Sequence, residues 1–256
     1  RTVPVTAPVV ASVELLTGAV HAGGVELALG GELVAGALVE TTGWAGGLPA
    51  GTALRLDGGQ SLRLAADTRV RLVSARLFEL ERGTLYVDSD PNAAAGGVEV
   101  VTSLGTVRDI GTQFEVRLSE GAAAIRVRVR EGECSLEAVG ESYLAARGEQ
   151  LSLHGDGSVL HAEIEPYSAE WDWVIATAPG IEIEGRSLGS FLDWVSREMG
   201  REVRYMDPQL AEAVRGIRLS GSTASFTPDE ALASVLAASN LGHRVENGSI
   251  LVTRAR

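Results

Sequence analysis

The sequence contains no lysine, so its 22 basic residues are all arginines, and 34 acidic residues outnumber them. The net charge of −12 argues against a nucleic-acid-binding protein, because the phosphate backbone would be repelled. No apolar run approaches the ~20 residues that a transmembrane helix needs. The single cysteine, Cys134, excludes a disulfide within the chain and is expected to be a small buried apolar residue.

Motifs for catalysis and for cofactors are also missing. The four histidines are scattered, and none has a second ligand at metal-binding spacing. The sequence has no Gly-x-Ser-x-Gly elbow, no Gly-Lys-Ser/Thr loop and no Cys-His dyad. We therefore expect a protein that is not an enzyme and that has no catalytic, cofactor or metal site.

Glycine is abundant, at 31 residues, and it separates short alternating runs of apolar and polar residues up to Ile164. Alternation with a period of two and a turn about every ten residues predicts short strands. We therefore expect a mainly β fold, either an antiparallel β sandwich or a solenoid-like stack. The clearest alternating set is Leu54, Leu56, Leu62, Leu64, Val70 and Leu72.

Residues 113–131 predict a β-hairpin whose apolar residues share one face. The other face carries an arginine stripe, Arg126, Arg128 and Arg130, opposite Glu115. We interpret this stripe as a solvated sheet face with cross-strand ion pairs. The alternative is a patch that binds an anionic ligand or a partner.

The pattern changes to helical spacing after Glu165. Residues 166–178 have prolines near both ends and are predicted to be a linker whose Trp171 and Trp173 pack between domains. Beyond them, the expected order is βαβ followed by βαββ, which is a small α+β domain. The predicted boundaries are a tail at 1–11, a β domain at 12–165, the linker at 166–178 and the α+β domain at 179–256.

Local signals within the α+β domain support this order. Ser187 and Thr227 are predicted helix caps, and Gly200 is predicted to end the first helix. Asn247-Gly248 suits the type I′ turn of a hairpin.

The stretch "VTSLGTVRDIGTQFEV", residues 101–116, carries Gly-Thr twice. A phosphate-binding glycine loop needs a helix directly after it, but here the strand-like "QFEVRL" comes next. The glycines are therefore predicted to be structural, at turns, bulges or close approaches within β structure. The residues to which we assign this structural role are Gly105, Thr106, Gly111, Thr112, Phe114 and Gly132.

Four blocks in order resemble the FecR family of periplasmic regulators of cell-surface signalling. They are "FELERGTLYVD" (78–88), residues 101–116, "VRVREGECSL" (127–136) and "LAARGEQLSL" (144–153). Residues 187–248 are similar to the short domain shared by secretins and the N-termini of TonB-dependent receptors.

This resemblance implies the signal-sensing region of an anti-sigma factor or sigma regulator, bound by the signalling domain of a TonB-dependent outer-membrane receptor and linked to iron uptake. It also implies that the sigma factor binds only through a cytoplasmic segment that, like the membrane helix, is not in this sequence. The expected location is the periplasm, as part of an inner-membrane-anchored protein, and the isolated region is expected to be monomeric. The alternatives are an envelope assembly module and a carbohydrate-binding β domain in which Trp44, Trp171 and Trp173 stack on sugars.

Partner binding is expected at an unpaired strand edge, because small mixed sheets leave edges that accept a strand from another protein. One candidate edge is 216–222, through Ile217 and Leu219. The other is 249–254, through Ile250, Leu251 and Val252, which we favour because no later segment of this sequence covers it. The alternative for both is that their apolar residues only cover the helices.

Overall fold

The computed structural model describes residues 7–45, 48–49, 51–89, 97–109, 111–119, 124–246 and 248–255. The chain divides into two compact units, residues 1–166 and 167–256. The predicted linker at 166–178 includes a short helical segment of the second unit, and the boundaries of 12–165 and 179–256 stay predictions.

The described part of the first unit consists of β-strands. They are β1 (Val9–Thr17), β2 (Val20–Ala22), β3 (Val25–Glu26), β4 (Glu32–Val34), β5 (Ala37–Thr41), β6 (Trp44–Ala45), β7 (Leu48–Pro49), β8 (Gly51–Leu56), β9 (Ser61–Leu64), β10 (Arg69–Leu72), β11 (Leu77–Asp88), β12 (Glu99–Val101), β13 (Thr106–Asp109), β14 (Gln113–Ser119), β15 (Ala124–Glu131), β16 (Glu133–Ala138), β17 (Glu141–Ala146), β18 (Glu149–Leu153) and β19 (Val159–Glu163).

Most of these strands form two sheets that share the long strand β11. Sheet I has the order β4-β1-β8-β9-β11-β14-β15-β18-β19, and sheet II has the order β3-β2-β5-β10-β11-β12-β13-β16-β17. The first half of β11 pairs in sheet II and the second half, from Gly83, pairs in sheet I. Adjacent strands are antiparallel except β11 and β12, which are parallel.

One hydrophobic core contains buried side chains from both sheets, so the sheets pack face to face as a sandwich. Leu54 and Leu62 reach this core from sheet I, and Val70 and Val107 reach it from sheet II. The prediction of a mainly β fold is confirmed. The alternating residues named from the sequence are all at most 1% exposed.

The N-terminal tail predicted at 1–11 extends too far towards the C-terminus, because its last residues belong to a strand. Strand β1 begins at Val9, and the side chains of Val10 and Ala11 are buried in the core. They are held there because β1 pairs with both β4 and β8. Residues 1–6 lie outside the described part of the chain.

The second unit combines helices with a three-stranded sheet. Its elements are a 3-10 helix (Ala169–Trp171), α1 (Asp172–Ala176), α2 (Leu188–Met199), β20 (Glu202–Tyr205), α3 (Pro208–Gly216), α4 (Pro228–Ala238), β21 (Leu241–Glu246) and β22 (Ser249–Arg254). The strand order is β20-β22-β21, with β20 parallel and β21 antiparallel to β22. Phe191, Leu232 and Ile250 are fully buried in a separate hydrophobic core.

The predicted helix caps are confirmed. The Ser187 hydroxyl accepts a hydrogen bond from the Ser190 backbone N–H at 3.1 Å at the start of α2. Thr227 and Glu230 form a reciprocal capping box at the start of α4. Gly200 caps the C-terminus of α2. The hairpin turn expected at Asn247-Gly248 joins β21 to β22, but Asn247 lies outside the described residues.

Two strands predicted for the α+β domain do not form. Strand pairing between residues 180–187 and the segment from 215 to 227 is limited to two isolated bridges, Glu182 with Ser222 and Ser187 with Arg218. Each contact is too short to build a ladder. Between these segments in the chain lies α3, which has nine residues.

Candidate functional site

The Asp109 carboxylate organises the glycine-rich motif. Its Oδ1 accepts hydrogen bonds from the Gly111 backbone N–H, at 2.6 Å, and from the Thr112 hydroxyl. Its Oδ2 accepts one from the Ser89 hydroxyl. Asp109 and Thr112 are 8% and 1% exposed, so the turn between β13 and β14 is closed by a buried carboxylate.

Close backbone approaches explain two motif glycines. A Cβ on Gly105 would lie 2.7 Å from the Glu137 carbonyl oxygen, and a Cβ on Gly132 would lie 2.7 Å from the Gly111 carbonyl oxygen. Gly132 also has a φ of +78°, which side-chain-bearing residues rarely adopt. The motif therefore holds strands β13 to β16 at close range.

The remaining motif residues have similarly local roles. Thr106 is the first residue of β13, and Phe114 on β14 is fully buried in the core. Between the two Gly-Thr pairs, Arg108 on β13 makes ion pairs with Glu99, at 3.4 Å, and with Glu137. These pairs join the three neighbouring strands β12, β13 and β16 on the exposed face.

The cross-strand ion pairs predicted for the arginine stripe on β15 are present, but the face that carries them is largely buried and not solvated. Glu115 is 1% exposed, and its Oε1 lies 2.9 Å from Arg126 Nη2 and 3.6 Å from Arg128 Nη1. Arg128 also donates to Gln150 Oε1 at 2.7 Å, and Arg130, 1% exposed, donates to the Pro166 carbonyl at 2.8 Å. The prediction of a solvated face failed because alternation shows which side chains share a face of the strand, but not whether that face is buried.

A further buried arginine, Arg63, belongs to the same sheet. The Arg63 guanidinium on β9 lies 5.3 Å from the centre of the Tyr86 ring on β11, and both side chains are at most 1% exposed. Its contact with the ring is a cation–π interaction. The outer side of sheet I therefore carries a buried polar layer.

Strand β22, the favoured docking edge, is the central strand of its sheet, so the expectation of a free edge at 249–254 is wrong. Both sides of β22 are paired, with β20 and with β21. Ile250 and Val252 are fully buried in the core of the second unit, and Leu251 is half-buried. The expectation failed because it rested only on the residues after this strand, whereas β20 comes earlier in the chain.

The second candidate edge, 216–222, is not a strand. The Ile217 carbonyl accepts from the Leu188 N–H at 2.9 Å, and the Leu219 carbonyl accepts from the Gly185 N–H at 2.9 Å. Leu219 is 7% exposed, and Ile217 packs against the same core. The backbone at both positions is thus already paired within the unit.

The outer strands of the small sheet are β20 and β21. The Met206 N–H donates to the Val252 carbonyl at 3.0 Å, so Val252 directs its backbone groups towards β20. Because backbone groups alternate along a strand, those of Leu251 point to β21 and bond to Arg244. On β21, the N–H and carbonyl groups of His243 and Val245 therefore point away from the sheet.

Side chains on β21 leave this edge accessible. Val245 is 46% exposed, and Arg244 and Glu246 form an exposed ion pair at 2.7 Å between Nε and Oε1. Among the described residues, no strand pairs with the outer side of β21. Sequence reasoning found this hairpin but assigned its free edge to the wrong strand.

Of the three tryptophans considered for sugar stacking, the structure describes the side chains of two. Trp171 is fully buried and Trp173 is half-buried. The side chain of Trp44 lies outside the described part of the structure.

No described group of three or more His, Cys, Asp or Glu side chains is arranged to hold a metal ion. Within the described ranges, no helix has both the length and the apolar character needed to span a bilayer.

Residues 50–135 match the family model described as "FecR protein". The match runs from the start of β8 into β16 and includes the motif built around Asp109. The FecR resemblance is thereby confirmed for this part of the first unit. The similarity of 187–248 to the domain of secretins and TonB-dependent receptors lies outside the match and stays a prediction.

The chain is also similar to two crystal structures, each described as a "putative anti-sigma factor from Parabacteroides distasonis ATCC 8503". Each is 16% identical in sequence, and each alignment covers 86% of this chain and 99% of the other. The TM-scores are 0.46 and 0.45. A search among curated proteins finds no match.

Proposed function

We propose that this chain is the periplasmic, partner-binding region of a FecR-type regulator of sigma-factor activity. Its second unit binds the signalling domain of a TonB-dependent outer-membrane receptor, and the chain works by protein binding rather than by catalysis. The FecR match over residues 50–135 carries this proposal.

The outer edge of β21 is the proposed contact. An antiparallel edge with outward N–H and carbonyl groups at His243 and Val245 accepts a strand from a partner through backbone hydrogen bonds. The exposed Val245 side chain and the Arg244–Glu246 ion pair supply apolar and charged groups for selectivity. This edge takes the place of the contact predicted at 249–254.

Val245→Pro tests this contact. Proline removes an N–H that points away from the sheet, and it is tolerated on an edge strand for that reason. We expect the variant to stay folded and to bind purified signalling domains of TonB-dependent receptors from the same organism about tenfold more weakly. Calorimetric titration measures the affinity.

The matched control is His161→Pro on β19. The His154 N–H donates to the Ser158 carbonyl, so the backbone groups of Ser158 point towards β18. Because backbone groups alternate along β19, the His161 N–H points away from β18, at the edge of sheet I. This variant should bind as the unchanged chain does. Equal affinity of the Val245→Pro variant and the unchanged chain would exclude β21, and failure of every receptor domain to bind the unchanged chain would exclude the receptor as partner.

A further inference from the structure

Strand β17 is the last strand of sheet II, and its outer edge is open. The Arg147 N–H donates to the Gly132 carbonyl at 2.9 Å across the hairpin that β17 forms with β16. The Ala146 N–H instead donates to the Glu149 carboxylate at 2.8 Å, so it points away from β16. Alternation then directs the backbone groups of Ser142 and Leu144 outwards as well.

Side chains do not protect this edge. Leu144 is 56% exposed, and its neighbours on the same face, Ser142 and Ala146, are small and exposed. On the opposite face, Ala145 is fully buried and Tyr143 packs against the core. Edge strands are commonly blocked by lysine, proline or a bulge, and β17 has none of these. The described residues include no strand that pairs with the outer side of β17.

The residues around Leu144 are complementary to themselves. Glu141 lies three positions before Leu144 and Arg147 lies three positions after it, and both are exposed. In an antiparallel pair of β17 strands centred on Leu144, each Glu141 therefore lies opposite the Arg147 of the other copy. The Tyr143 hydroxyl donates to Glu141 at 3.0 Å and holds that carboxylate in place. Arg147 has no ion pair with any other described residue.

Backbone bonding is consistent with the same register. Leu144 of one copy lies opposite Leu144 of the other. By the two-fold symmetry, Ser142 of each copy lies opposite Ala146 of the other. Each of these pairs exchanges two N–H to carbonyl hydrogen bonds, because their groups point outwards. The Glu149 carboxylate must leave the Ala146 N–H, and the carbonyl of Ser142 in the other copy replaces it.

We propose that β17 is a self-association edge, at which two copies of this chain join their sheets II into one continuous antiparallel sheet about a two-fold axis at Leu144. The interface is isologous, so it closes at a dimer. This inference concerns the first unit and does not depend on the receptor-binding proposal. It differs from the monomer that the sequence analysis expects.

Sedimentation velocity of the full chain, from micromolar to near-millimolar concentration, tests this dimer. We expect a reversible monomer–dimer equilibrium for the unchanged chain. Leu144→Lys places two like charges directly opposite each other and should abolish the dimer. The control is Leu160→Lys on β19, because Leu160 is also exposed, at 59%, and this variant should associate normally.

A charge reversal tests the register itself. Arg147→Glu turns both cross-strand ion pairs into like-charge pairs and should raise the dimer dissociation constant about tenfold. Adding Glu141→Arg restores opposite charges and should restore association. A monomer at every concentration, a dimer that tolerates Leu144→Lys, or the absence of rescue would each overturn the proposal.

Discussion

The Thr112 hydroxyl donates a hydrogen bond to the same Asp109 oxygen that accepts the Gly111 backbone N–H. The glycine-rich motif within the FecR match at residues 50–135 therefore contains a turn closed by a carboxylate. The Gly111 N–H and the Thr112 hydroxyl of the second Gly-Thr pair share this acceptor, whereas Gly105 of the first pair lies close to the Glu137 carbonyl oxygen.

Asp109→Ala should destabilise the chain by about 3 kcal/mol. The change removes the acceptor shared by three donors, and the buried Thr112 hydroxyl is left without it. Urea unfolding followed by circular dichroism measures the loss. Thr112→Val keeps the side-chain shape and removes a single donor, so it should cost only about 1 kcal/mol. Equal losses in the two variants would contradict the central role of Asp109.

Gly132→Ala should cost about 3 kcal/mol or more, because the new Cβ meets the Gly111 carbonyl at 2.7 Å in addition to the strain of a positive φ. Gly140 is the matched control. It has a φ of +81°, but no atom lies within 4 Å of a Cβ built there. Gly140→Ala should therefore show only the backbone cost of about 1 to 2 kcal/mol. Thermal or urea unfolding of both variants separates the steric from the conformational part.

Leu251→Pro should unfold the second unit. Proline at the centre of β22 removes the N–H that bonds to Arg244, and such a loss costs about 3 kcal/mol or more. The opposing change, Val245→Pro, removes an outward N–H and should leave the fold intact. Hydrogen exchange of the amides in α2 and α4 distinguishes the two. Native-like protection in the Leu251→Pro variant would mean that β22 is not central.

Burial raises the pKa of the Cys134 thiol to about 12, with a smaller contribution from the nearby Asp109 charge. In the unfolded chain the thiol ionises near its ordinary pKa of about 8.5. At pH values between these two pKa values, the Cys134 thiol is deprotonated in the unfolded state and protonated in the folded state. Stability attributable to Cys134 is therefore fully present below about pH 8.5 and falls by about 1.4 kcal/mol per pH unit above it.

The measurement is the difference in free energy of unfolding between the unchanged chain and Cys134→Ala at a series of pH values from about 7 to about 10. Both chains share every other titrating group, so only the thiol contributes to a change in the difference. The stability advantage of the unchanged chain should shrink above about pH 8.5. A difference that stays constant over this range would show that the thiol ionises as readily in the folded state.

Local patterns in the sequence were sufficient for most elements. The alternation from Leu54 to Leu72 predicted strands whose apolar residues are all buried, because period-two spacing determines which side chains share a face. Ser187 and Thr227 marked helix starts correctly, since a capping hydroxyl acts within three residues of its own position.

Local sequence patterns did not predict which strands pair when those strands are far apart in the chain. The parallel pairing of β20 with β22 encloses the strand that was expected to be an edge, and nothing in residues 249–254 encodes it. The burial of Glu115 and Arg130 likewise is not encoded in the alternation of their strands. Sequence patterns identified the hairpins in each case, but the free edges depend on long-range pairing order.

Strand β11 passes from sheet II into sheet I without interruption. Its first half lies between β10 and β12, and its second half lies between β9 and β14. Unfolding of either sheet therefore releases β11 and removes one strand from the other sheet. Contacts along this strand also join segments far apart in the chain, a topology that slows the search for the native state. We therefore expect the first unit to refold slowly and cooperatively.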